Sequence, residues 1–77
     1  MQVKLLAFAS AAHTLGWREM LAECAASDSP RVVFASVAPG FDPCGARAAV
    51  DCEYHSWDEP IGMDAQELAI LPPVSGG

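Results

Sequence analysis

The last seven residues carry the clearest chemical signal in the sequence: Leu71-Pro72-Pro73-Val74-Ser75-Gly76-Gly77. We expect Gly77 to carry the free α-carboxylate of the chain. Gly76 and Gly77 have no Cβ, so a narrow channel in another protein could admit them and reach the Gly77 carbonyl carbon. Pro72 and Pro73 fix their own φ angles and favour an extended path. The pattern predicts a stiff stalk that presents an activatable carboxylate.

A frayed terminus is the alternative interpretation, because Gly-rich ends are common in proteins that do not use them. The combination of an apolar run, two prolines, one apolar residue and a final Gly-Gly favours a presented tail. The candidate reaction site is Gly77 with Gly76. The candidate partner contacts in the tail are Pro72, Pro73, Val74 and Ser75.

Composition limits the function classes. The chain has 77 residues, 52% of them hydrophobic, and is long enough for one small domain. Its formal net charge of −6 disfavours nucleic acids and anionic membrane surfaces as partners. The same charge fits a partner protein with a basic docking face.

The cellular location is predicted from what the sequence lacks. No apolar run approaches the roughly 18–20 residues that span a bilayer. Residues 1–10 weakly resemble a signal peptide, but their removal would take a strand from a small domain. Three cysteines without paired spacing favour reduced, mostly buried thiols. We therefore expect a cytoplasmic protein.

The elements that must position the tail begin with an apolar strand at residues 2–9 and a connection at 10–16. Residues 17–24 are ambiguous, because their apolar spacing is near helical but also partly alternates. Ser29 is a suitable N-cap and Pro30 a suitable first residue for a helix that ends at Pro39-Gly40.

The second half of the chain predicts strands. Residues 47–55 alternate, with Ala48, Val50, Cys52 and Tyr54 on one face, as in a half-buried strand. Residues 56–58 continue that strand or form a short neighbour, residues 59–62 form a turn, and residues 66–71 form the last strand. This order predicts an α+β fold, a mixed sheet with one helix packed across it.

Several stretches together resemble one family. The ending resembles the tail of the small subunit of molybdopterin synthase, a sulfur carrier of the ubiquitin-like β-grasp fold. Residues 3–10 resemble the first strand of that family, and residues 49–61 resemble its middle strand and the aromatic-Asp-x-Pro-aliphatic turn that follows. The resemblance implies a β-grasp domain at 1–71 with four to five strands and one main helix, and a tail at 72–77. It also favours a strand over a helix at 17–24.

The resemblance implies a carrier chemistry. An ATP-dependent, E1-like activating enzyme would adenylate the Gly77 carboxylate, and a sulfur-donating persulfide protein would convert it to a thiocarboxylate. Inside the large subunit of molybdopterin synthase the sulfur would pass to a cyclic pyranopterin precursor. The chain alone is then expected to bind no cofactor and to have no enzymatic activity.

A docking patch is expected around Phe8, Tyr54 and Leu71, at the end of the sheet nearest the tail. Plain core positions are the alternative for these residues. A zinc site of Cys44, Cys52 and His55 is disfavoured, because Cys52 and His55 fall on opposite faces of the predicted strand. The rival functions are sulfur delivery to thiamine or cysteine synthesis, ubiquitin-like protein modification, and an acidic interaction module with an incidental tail.

Overall fold

The structure, a computed structural model, describes residues 1–72 of the chain. Five strands and two helices form one α+β unit. In chain order they are β1 (Gln2–Ala7), α1 (Ser10–Leu15), β2 (Glu19–Glu23), α2 (Pro30–Val37), β3 (Arg47–Val50), β4 (Glu53–His55) and β5 (Glu67–Leu71).

The strands form one mixed sheet in the order β2-β1-β5-β3-β4. The central strands β1 and β5 run parallel, and all other neighbouring pairs are antiparallel. The predicted α+β layout is therefore confirmed. Residues 19–23 are the strand that the resemblance favoured, not the helix that their apolar spacing favours, because β2 pairs along its whole length with β1.

Helix α2 covers one face of the sheet. The Ser29 hydroxyl accepts a hydrogen bond from the Val32 amide at 3.3 Å, and Pro30 is the first helical residue, as the sequence predicts. Val33 and Phe34 are fully buried in the core formed with β1 and β5. The Phe34 ring lies within 6.4 Å of three aromatic rings, centroid to centroid: Trp17, Phe41 and Trp57.

The prediction of one strand over residues 47–55 is wrong. The chain turns back at Asp51 and Cys52, whose φ angles of 48° and 72° are both positive, as in the two-residue turn of a tight hairpin. Tyr54 consequently pairs with Ala49 and shares its face, not that of Ala48 and Val50. The alternating pattern did not show the turn because both turn residues fit the alternation. Residues 56–58 form no strand.

Two smaller expectations also change. The connection at 10–16 contains the helix α1, which ends at Gly16 in a left-handed conformation. Cys24 is half-buried, and its burial raises the pKa of its thiol, but Cys44 and Cys52 are exposed, so the thiols are not mostly buried.

Neither of the helices within residues 1–72 has the length and apolar character needed to cross a bilayer.

Candidate functional site

The face of the sheet opposite α2 carries a row of side chains from four neighbouring strands. The register pairs Leu6 with Ala69, Ala69 with Ala49, and Ala49 with Tyr54. The two alanines lie in the neighbouring strands β5 and β3; Ala69 is 9% exposed and Ala49 is 5% exposed. Because a methyl group is much shorter than its neighbours in the row, the alanines form the floor of a groove between Leu6 and Tyr54.

The groove brings together the three residues predicted to form a docking patch. Phe8, Tyr54 and Leu71 all line it, and its volume is about 380 Å³. Phe8 is 46% exposed and Tyr54 is 66% exposed, which is the exposure of surface side chains and not of core residues. Their binding of a partner stays a prediction.

Backbone contacts place Phe8 beside the end of β5. The Phe8 amide donates to the carbonyl of Ile70 at 3.2 Å and so extends the parallel pairing of β1 with β5 beyond Ala7. Leu71, half-buried, is the last residue of β5, and Pro72 follows it. The groove therefore begins where the chain leaves the sheet.

The remaining predicted tail residues lie outside the described part of the chain. They are Pro73, Val74, Ser75, Gly76 and Gly77. Their assigned contacts and reactions stay predictions, as does the boundary between a domain at 1–71 and a tail at 72–77.

Arg47 stands at the same end of the groove. It pairs in register with Leu71, and its guanidinium carbon lies 5.1 Å from the centroid of the Tyr54 ring. A guanidinium at this distance from an aromatic face is attracted by the ring quadrupole. The contact holds a positive charge next to the apolar surface of Tyr54.

Comparison with solved structures identifies the architecture. No protein-family model and no curated protein matches the sequence. A crystal structure of SAMP1 from Haloferax volcanii matches with a TM-score of 0.75 at 20% identity over 100% of both chains. A Pyrococcus furiosus protein described as molybdopterin converting factor, subunit 1, matches with a TM-score of 0.70 at 23% identity, over 96% of this chain and 99% of that one. A second crystal structure from H. volcanii, of small archaeal modifier protein 1, has a TM-score of 0.72 at 17% identity, over 95% and 98% of the two chains.

The chain has the ubiquitin-like β-grasp fold. In this β-grasp domain the docking patch was predicted from residue types near the tail, but Ala49, Ala69 and Arg47 were not. Ala49 is the one apolar residue on the polar face of the predicted strand at 47–55, but nothing in the sequence distinguishes Ala69 from the many other alanines. Only the strand register shows that Ala49 and Ala69 form the floor of a groove.

The residues once considered for zinc do not form a cluster in the β-grasp domain. The His55 Nε2 atom lies 3.1 Å from the backbone carbonyl oxygen of Glu59, and Cys52 lines the groove at its other end. Within residues 1–72 no group of three or more potential metal ligands is placed to hold an ion.

Proposed function

We propose that this chain is a sulfur carrier of molybdenum cofactor biosynthesis that acts as the small subunit of molybdopterin synthase. We also propose that the mature chain ends at Gly77. The support for the carrier role is the β-grasp fold shared, over nearly the full length of both chains, with the Pyrococcus furiosus protein described as molybdopterin converting factor, subunit 1. The Gly-Gly ending supports it from the sequence side.

One observation carries the proposal: the last strand ends where an exposed apolar groove begins. Because β5 is central and parallel to β1, Leu71 emerges beside Phe8 and opposite Arg47. A partner that covers this groove is therefore placed to receive the residues that follow Pro72. Docking surface and reactive end then work as one unit.

The reaction begins with a carboxylate, which is a poor electrophile. The activating enzyme transfers AMP from ATP to the Gly77 carboxylate and releases pyrophosphate. A persulfide sulfur attacks the acyl carbon and AMP leaves. A thiol then attacks the donor-side sulfur of the acyl disulfide, which forms a new disulfide with the donor and releases the thiocarboxylate. The thiocarboxylate sulfur is a good nucleophile and adds to the pterin precursor in the large subunit; hydrolysis of the acyl–sulfur bond then leaves the sulfur on the precursor and returns the Gly77 carboxylate.

The chain's own contribution is presentation. Pro72 and Pro73 restrict the backbone before insertion, which lowers the ordering entropy that binding must overcome. Val74 enters an apolar notch of the partner and sets the depth of insertion. Gly76 and Gly77 leave the acyl carbon open to attack from either side.

We place this chemistry in the cytoplasm. The three cysteines are unbridged, and two of them are exposed, which fits a compartment that keeps thiols reduced. The reaction also needs a free thiol to cleave the S–S bond that forms after attack by the persulfide, and such thiols are kept reduced in the cytoplasm.

The test is reconstitution with the activating enzyme, a persulfide donor and the large subunit, followed by intact mass measurement. Wild-type protein is expected to gain the mass difference of sulfur replacing one oxygen, at Gly77. Deletion of Gly77, or addition of one residue after it, is expected to abolish sulfur transfer while circular dichroism stays unchanged. Sulfur transfer by either variant would overturn the proposal.

Protein modification is the second candidate, because two of the matching structures are of SAMP1, the small archaeal modifier protein 1. It uses the same adenylate, but a lysine amine of a target attacks the acyl carbon in place of sulfur. Protein isolated from its host separates the two: a thiocarboxylate supports the carrier, and an isopeptide bond from Gly77 to a lysine supports the modifier. For an acidic interaction module, removal of residues 72–77 leaves partner binding unchanged.

A further inference from the structure

Two of the four basic side chains stand at the end of the sheet where β5 finishes. Arg18 immediately precedes β2, and its carbonyl accepts a hydrogen bond from the Ala7 amide at 2.9 Å. Arg47 begins β3 and pairs with Leu71. Since β1 and β5 lie between β2 and β3, the two arginines flank the root of the tail. Neither forms an ion pair with any residue from 1 to 72.

The opposite end of the sheet is acidic. Strands β4 and β5 begin there, β2 ends there, and the hairpin turn lies there. Six carboxylates belong to these strand ends and their adjoining loops: Glu23, Asp28, Asp51, Glu53, Asp64 and Glu67. The net charge of −6 is therefore spread unevenly, with most negative charge far from the tail.

The surface between the two arginines is continuous. A shallow hollow lined by Arg18 shares Leu6 and Phe8 with the apolar groove, which extends to Tyr54 and Leu71. Two carboxylates line this surface: Glu19, opposite Leu6 in register at the tail end, and Glu67, at the far end of the groove. We call this surface the docking strip: Arg18, Leu6, Phe8, Leu71, Tyr54 and Arg47.

We propose that the docking strip recognises a partner surface in which an apolar centre is flanked by carboxylates, one opposite Arg18 and one opposite Arg47. This inference rests on the proposed function, and its partner is the large subunit of molybdopterin synthase. The net charge alone predicts a partner with a basic docking face. For the end of the molecule that carries the tail, this inference replaces that face with one that carries carboxylates. A basic face would attract the carboxylates at the far end and turn the tail away.

The geometry of Arg47 suits this role. Contact with the Tyr54 ring holds its guanidinium before docking, so less side-chain freedom is lost on binding. A planar guanidinium binds a carboxylate through two parallel hydrogen bonds, which fixes orientation as well as position. The arginine pair therefore sets the direction in which the tail enters its partner.

The experiment is titration calorimetry of the full-length chain with the large subunit, at low and at high salt. Arg47→Glu and Arg18→Glu are each expected to weaken binding about tenfold or more, with the larger effect at low salt. Arg47→Lys should lose part of the affinity, since lysine lacks the planar fork. Lys4→Glu makes the same charge change on the same sheet face but beside Glu67, and should change affinity less than about threefold.

The sign of the Arg47→Glu effect decides the inference. Unchanged or tighter binding by this variant, with wild-type binding intact, overturns the carboxylate-flanked partner alone. A wild-type chain that neither binds the large subunit nor forms a thiocarboxylate overturns the proposed function and this inference with it. Arg47→Ala, which removes the charge without reversing it, is measured as a further variant. Circular dichroism of each variant separates loss of docking from loss of fold.

Discussion

Asp51 and Glu67 are joined by two hydrogen bonds across the sheet. The Asp51 Oδ1 atom accepts from the Glu67 amide at 2.9 Å, and the Asp51 amide donates to the Glu67 carbonyl at 2.9 Å. The same Oδ1 atom also accepts from the Gln66 amide at 3.1 Å. The turn between β3 and β4 is thereby tied to the start of β5, whose other end carries the tail.

Loss of the Asp51 carboxylate should destabilise the domain. Asp51→Ala leaves the amides of Gln66 and Glu67 without this acceptor and is expected to lower the free energy of unfolding by about 1–3 kcal/mol. Asp51→Asn should cost less, since one acceptor oxygen remains and asparagine tolerates positive φ. Urea denaturation measures both variants. Equal stabilities for the alanine and asparagine variants would show that the carboxylate contacts do not hold the turn.

Replacement of Cys52 by glycine should stabilise the protein. Its φ of 72° brings Cβ close to the following carbonyl oxygen, a strain of about 1–2 kcal/mol that glycine lacks. The greater freedom of glycine in the unfolded chain offsets part of this, so Cys52→Gly should stabilise by about 0.5–1 kcal/mol. Cys52→Ala, which removes the thiol but keeps Cβ, is the matched control. A stabilisation of similar size in the alanine variant would assign the effect to the thiol.

Filling the groove should block docking without unfolding the protein. Ala69→Leu places a larger side chain on the groove floor between Leu6 and Tyr54, where space is open. Affinity for the large subunit is expected to fall at least about tenfold, because the leucine side chain fills the space that the partner's apolar side chains would occupy. Ala25→Leu, at an exposed alanine in the loop after β2, adds the same bulk away from the strip. Retained affinity in Ala69→Leu would exclude the groove as the docking site.

The ion pair between Arg31 and Asp58 gives a pH dependence of known sign. The Arg31 Nε donates to Asp58 Oδ1 at 2.8 Å, and this hydrogen bond lowers the pKa of the Asp58 carboxyl. A carboxyl with a lowered pKa in the folded state stabilises above its unfolded pKa and loses that contribution as pH falls through the folded value. The wild type should therefore be slightly more stable than Asp58→Asn near pH 7. This difference in stability, the gap, should close below about pH 4.

Thermal unfolding across this pH range measures the gap. Both side chains are exposed, so high salt should also reduce it. A gap that widens as pH falls would contradict the assignment of the shift to Arg31.

Local signals in the sequence were sufficient for several features. Ser29 and Pro30 mark the start of α2, because capping depends on residues within one turn of each other. The α+β class follows from apolar runs separated by breakers, whereas the strand at 19–23 was expected only from the family resemblance. The apolar residues Phe8, Tyr54 and Leu71 were placed together from their expected position at one end of the sheet.

Tertiary structure decided the rest, for reasons of distance along the chain. The turn at Asp51 and Cys52 is held by amides more than a dozen residues away, so alternation alone predicted one unbroken strand. The groove floor exists because the sheet register places Ala49 beside Ala69. Arg18 and Arg47 stand on either side of the tail because β2 and β3 flank the central pair. Composition determined how much charge and apolar surface the protein carries, but only pairing between distant strands determined where they lie.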